Sequence, residues 1–98
     1  MYMVFLSYKE SIDEEIMKLL KDMEIFSFSK WPQIHNSGKT GRPRFGTHIF
    51  PGYNSGIIFP IQEKKIDILI DRIEEFNRNV KFEGIKAYSW KLEKIVEK

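Results

Sequence analysis

The chain has 98 residues, 42% of them hydrophobic and 31% charged, which suits a single globular core spanning residues 1–98 and leaves no room for a second. A net charge of +2 makes no global electrostatic case for nucleic acid, and the lack of cysteine excludes disulfides and thiolate metal sites. No apolar run is long enough to cross a bilayer as a helix, and MYMVFLSYKE lacks the basic leader and long apolar core of a secretory signal, so the expected compartment is the cytoplasm.

Tyr2 to Tyr8 is apolar and aromatic without a helical period, which predicts a central strand buried on both faces. Ser11 and Glu14 fit a capping box, and Ile12, Ile16, Leu19, Leu20 and Met23 follow at helical spacing. Early acids and late lysines in this helix suit its dipole. Ile25 to Trp31 predicts a second strand, with Phe26 and Phe28 alternating with Ser27 and Ser29, and Pro32 ends it. A third strand is predicted over Gly56 to Ile61, with Pro60 at its end or in a bulge.

A second amphipathic helix is predicted from Glu63 to Asn79, with the stripe Ile66, Leu69, Ile70, Ile73 and Phe76. Lys64 and Lys65 oppose the dipole in its first turn. Gly84 opens a fourth strand to Leu92, in which Lys86, Tyr88, Trp90 and Leu92 share one face. The tail Glu93 to Lys98 is short and charged, room for one helical turn. The order strand, helix, strand, strand, helix, strand is the ferredoxin-like plan: an α+β sandwich with a four-stranded antiparallel sheet and two helices on one face.

Between the second and third strands lies WPQIHNSGKTGRPRFGTHIFPGYN, Trp31 to Asn54. A loop this long in so small a domain points to function. Gly38 to Arg44 combines glycines with Lys39, Arg42 and Arg44, a pattern that serves either as an anion site built on backbone N–H groups and cations or as a solvated hairpin tip. It is not a Walker A loop. Thr47 and His48 stand in GTHIFPG. His48 is a candidate metal ligand, with His35 as a partner, or a brace of the loop base; two histidines with 12 residues between them and no adjacent Asp, Glu or Cys favour the brace. Asn54 closes the turn at Pro51–Gly52. Trp31 at the other foot is an interface plug or a stacking surface for a flat ligand.

Aromatics make up 14% of the chain. With both helices on one sheet face, Tyr2, Tyr8, Trp31, Tyr88 and Trp90 are candidates for the other. Such a face predicts a closed homo-oligomer, against the alternative of a monomer with aromatics scattered at strand ends.

Lys30, Trp31, Gly38, Gly41, Pro43, Gly46, Thr47, His48, Phe50, Pro51, Gly52 and Asn54 spell a pattern that resembles a PII-like group, KW…G…GP…GTH-[aromatic]-PG-x-N. The tail from Glu83 to Lys98 also looks like the last strand of PII proteins and the segment after it. The resemblance implies a homotrimer with clefts between subunits at the base of the long loop. PII proteins hold adenine nucleotides in such clefts and use the loop to contact a partner. The chain departs from the PII pattern twice. The glycine-rich turn before the last strand is reduced to Lys81, Phe82, Glu83 and Gly84, and the loop lacks the tyrosine that signalling members modify.

The expected function is a non-enzymatic PII-like sensor that binds a small anionic ligand, nucleotides included, or a metal ion. Occupancy would be coupled to the order of the 33–53 loop, which would also meet a protein partner. The candidate site is Thr47, His48, Lys39, Arg42, Arg44, Trp31 and Asn54. The competing readings are a metal-binding trimer using His48 and a small enzyme at the same cleft. No serine has a neighbouring base that would make it a nucleophile. Nucleic-acid binding through the loop cations is a weaker third option, and no membrane role is expected.

Overall fold

The computed structural model describes residues 1–34, 36–37, 43–44, 53–81 and 84–98. Among them, the elements run β1 (Tyr2–Lys9), α1 (Asp13–Asp22), β2 (Ser29–Ile34), β3 (Asn36–Ser37), β4 (Pro43–Arg44), β5 (Asn54–Ile61), α2 (Glu63–Arg78) and β6 (Lys86–Lys91), with a 3₁₀ turn at Glu10–Ile12 before α1. Four strands make one antiparallel sheet in the order β2-β5-β1-β6, while β3 and β4 form a separate two-residue ladder. This is the ferredoxin-like α+β plan, with the two long hydrophobic strands at the centre.

Strand period and helix period meet in one core. On one sheet face Val4 stands opposite Phe59, Leu6 opposite Ile57, and Tyr8 opposite Ser55. Those side chains are buried together with Ile16 and Leu20 of α1 and Ile66, Leu69 and Ile73 of α2. Both helices therefore cover the same face. Each fully buried aliphatic or Phe side chain here contributes about 1.5–3 kcal/mol of transfer free energy.

The local signals around α1 play out differently from their sequence reading. Ser11 lies in the 3₁₀ turn, Ile12 takes the N-cap position, and no side chain caps the helix. Asp13, Glu14 and Glu15 in the first turn complement the dipole instead. At the other end, Ile25 N–H bonds to Leu20 C=O at 2.8 Å and Glu24 N–H to Lys21 C=O at 2.9 Å. This is a Schellman motif, and Glu24 fills its left-handed position with φ 59°. Lys65 in the first turn of α2 also finds its reason here. Its ammonium donates to Met23 C=O at 3.0 Å, so a cation misplaced for its own helix satisfies the end of the other.

The second strand begins later and ends later than its alternating pattern suggests. Ile25 is a core residue after the helix, and Phe26 through Ser29 are exposed. The ladder to β5 pairs Ser29–Ile58, Lys30–Ile57 and Trp31–Gly56, shifts register, and resumes at Ile34–Asn54. Pro32 sits in the interrupted stretch. It does not end the strand because β2 is at the sheet edge, where a missing N–H removes little. Pro60 is the penultimate residue of β5, beyond the last β2 pair, as its chemistry requires. The last strand is shorter than expected, Lys86–Lys91, and the tail from Glu93 has no helical turn.

Candidate functional site

The sheet has a second face, and the register defines it. Met3, Phe5 and Ser7 of β1 lie opposite Pro60, Ile58 and Gly56 of β5 on one side, and opposite Trp90, Tyr88 and Lys86 of β6 on the other. Trp31 of β2 joins this face through its pairing with Gly56. Phe5 and Tyr88 stack with ring centroids 6.4 Å apart. Among the described residues, no helix covers this side. Trp31 is 48% exposed, Tyr88 57% and Trp90 46%. Of the five aromatics considered for this face, these three are on it. Tyr8 is buried in the core, and Tyr2 packs against the core from the helix side, because both fall on the other strand parity.

The face changes character along its length. Near Met3 and Trp90 it is apolar. Near the long segment, Trp31, Gly56, Ser7 and Lys86 form one row across all four strands. At the usual strand spacing that row spans about 14 Å from the indole strand to the lysine strand. Its two middle members, Ser7 and Gly56, are buried. A β-carbon on Gly56 would meet Ile34 Cδ1 at 3.1 Å and Phe5 Cε1 at 3.3 Å, so those side chains close over the glycine. The next row places Lys9 opposite Asn54, and Asn54 opposite Ile34.

The turn that enters β6 is built from an amide. Asn77 at the end of α2 donates to Ile85 C=O at 2.9 Å and accepts from Ile85 N–H at 2.7 Å. Gly84 is needed beside it, since any β-carbon there would collide with the Asn77 amide. The clamp sets the start of β6 and hence the strand position of Lys86.

On the helix side of the same sheet end lies a small polar network. Tyr8 Oη donates to Asp13 Oδ1 at 2.6 Å, and Lys30 Nζ donates to Asp13 Oδ2 at 2.7 Å. Burial, the hydrogen bond to Asp13 and that carboxylate's charge all push the Tyr8 hydroxyl above its ordinary range. For Asp13, partial burial pulls the pKa up, but hydrogen bonds from Lys30 and Tyr8 and the Lys30 charge outweigh it and hold the carboxyl below its usual value.

Of the residues singled out in the sequence, Trp31 and Asn54 are both brought to the loop end of the open face, Trp31 exposed and Asn54 buried. Arg44 lies on β4 opposite Asn36. Lys39, Arg42, Thr47 and His48 fall outside the described residues, as does Glu83. Among the described residues, no group of three or more His, Cys, Asp or Glu side chains could hold a metal. Sequence reasoning missed the Tyr8–Asp13–Lys30 network, Ser7 and Gly56. Lys86 was legible, since its strand parity already placed it with Tyr88 and Trp90.

No protein-family model matches the chain, and no curated protein matches it in sequence. Solved structures do match in fold. Two structures of CPII, a nitrogen regulatory PII-like protein from Thiomonas intermedia K12, bound to ADP, AMP and bicarbonate, superpose with TM-scores of 0.71 and 0.68. Each is 12% identical in sequence; the first covers 95% of this chain and 88% of that one, the second 91% and 90%.

Proposed function

Proceeding from the fold of a PII-like nitrogen regulatory protein, which this chain shares over nearly its whole length, we propose that it is a PII-like regulator acting by binding rather than turnover. It assembles as a homotrimer through the open sheet face. It binds a small anionic ligand, a nucleotide foremost, in clefts between subunits at the loop end of the sheet. The observation that carries this reading is the pair of exposed side chains, Trp31 and Lys86, at the two ends of one row across the sheet, beside an apolar, exposed aromatic face. An uncovered patch of this kind marks an interface. A flat ring surface at one end of the row and a cation at the other suit a base and a phosphate.

Lys39, Arg42, Arg44, Thr47 and His48 are proposed to complete the cleft from the 33–53 segment, with Asn54 at its foot. That segment is also the proposed contact for a protein partner.

Native mass spectrometry combined with calorimetric titration of ADP, AMP and bicarbonate tests the reading. The expected mass is three times the 11.7 kDa of one chain. Lys86→Ala and His48→Ala should each weaken nucleotide binding about tenfold, near 1.4 kcal/mol, with the trimer intact. Single chains at micromolar concentration, or a trimer indifferent to all three ligands, would overturn it.

A further inference from the structure

The two ends of the long segment rest on one corner of the molecule. The outgoing end is β2, an edge strand whose residues Ser29 to Gln33 are all exposed. Little burial holds it. Its ladder to β5 is broken between Trp31 and Ile34, and a side-chain bond, Ser55 Oγ to Pro32 C=O at 3.2 Å, bridges the break. The returning end is Tyr53, whose carbonyl accepts the Glu10 N–H at 2.7 Å, and Asn54, which pairs with Lys9. Residues 9–13 are the corner between β1 and α1. Lys30 of β2 reaches that same corner through its 2.7 Å ion pair with Asp13.

An exposed ion pair alone would do little to hold a strand. Asp13 does more, because its second oxygen accepts the hydroxyl of Tyr8, a residue 1% exposed. The carboxylate is therefore fixed by the core, and Lys30 is tied to a fixed point. Lys30 and Trp31 are adjacent and face opposite sides of the sheet, so holding Lys30 on the helix side aims Trp31 at the open face.

We infer that Asp13 is the positioning residue of the ligand cleft: through Tyr8 and Lys30 it sets the register of β2, and with it Trp31, against the corner that also holds Tyr53. The link to a ligand rests on the function proposed above; the link to β2 does not.

Amide hydrogen exchange on the full chain separates the two. In Asp13→Asn and in Lys30→Met, those amides of residues 29–31, 33 and 34 that bond to β5 should exchange at least about tenfold faster, while those of Val4–Ser7 and Ile57–Phe59 keep their rates. Lys30→Arg, which preserves the cation, should restore slow exchange. Lys30→Met leaves the Tyr8–Asp13 bond in place, so it reports even if the Asp13 variant folds poorly. Where the wild-type chain binds ADP, both variants should bind it about fivefold more weakly with the oligomer unchanged. Wild-type exchange in β2 of Lys30→Met, or acceleration spread evenly over the sheet, would overturn the inference. Failure of the wild-type chain to bind ADP would overturn the ligand assignment and leave the exchange result to decide this one.

Discussion

The two faces of the sheet are made from the same strands and differ in what completes them. Val4, Leu6, Ile57 and Phe59 point to the helices and are buried within the chain. Phe5, Ile58, Tyr88 and Trp90 alternate with or neighbour them, and point where no described element of the chain lies. The first face explains why the chain folds. The second has an apolar surface that no described element of the chain covers, and the proposed assembly is the part of the reading that rests on it. On the covered side, Tyr8 and Lys30 each donate to Asp13; on the open side lies the exposed Lys86.

Paired truncations give the sharpest contrast. Phe59→Ala on the covered face should cost about 3–5 kcal/mol in denaturant unfolding, a loss that does not change with protein concentration. Tyr88→Lys combined with Trp90→Lys should leave the circular dichroism of the fold in place and break the oligomer, with apparent stability becoming the same at every dilution. A double variant that keeps its oligomeric mass would remove the functional meaning assigned to the open face.

At the rim between the faces, Gly84→Ala should cost about 1–3 kcal/mol by overpacking the Asn77 amide, and Asn77→Ala should make the same alanine better tolerated. A double-mutant cycle in unfolding free energy measures that coupling. Asp13→Asn should cost about 1 kcal/mol at neutral pH. Its folded pKa lies below the ordinary 3.8, so the carboxylate's contribution is complete above that value and disappears as pH falls through the lower folded one. The gap between wild-type and Asp13→Asn melting temperatures should therefore close in acid. The smallest effect is a gain. Glu24→Gly relieves a left-handed residue at the end of α1 and should stabilise the chain by about 0.5–1 kcal/mol, with no change in assembly or binding.

Much of the fold was readable in residues with a strong period. The stripe Ile66, Leu69, Ile73 placed α2 to within a residue at each end, because a helix face that must be buried repeats every three or four positions. The run Tyr2 to Tyr8 gave a central strand for the same kind of reason. The Phe26–Ser29 alternation misled: Phe26 to Phe28 form an exposed connection, and the strand begins only at Ser29. Ser11 and Glu14 looked like a cap, yet Ser11 lies in a 3₁₀ turn ahead of the helix and Glu14 in the helix's first turn, with no side-chain cap. Within the candidate site, Trp31 and Asn54 could be picked out and Lys86 only assigned to the strand face of Tyr88 and Trp90, while Ser7 and Gly56 could not be found, since nothing local marks a small residue that a distant strand lays beside a tryptophan.

Taken alone, the order and spacing of residues determined the element sequence, the number of helical stripes and the excess of aromatic surface, all of which depend on near neighbours along the chain. Only the tertiary structure decided which side of the sheet each strand's alternating residues face, the row that joins Trp31 to Lys86, and the bond that ties Lys30 to Asp13. Those depend on register between strands distant in the chain, and a shift of one residue would have sent every one of these side chains to the opposite face.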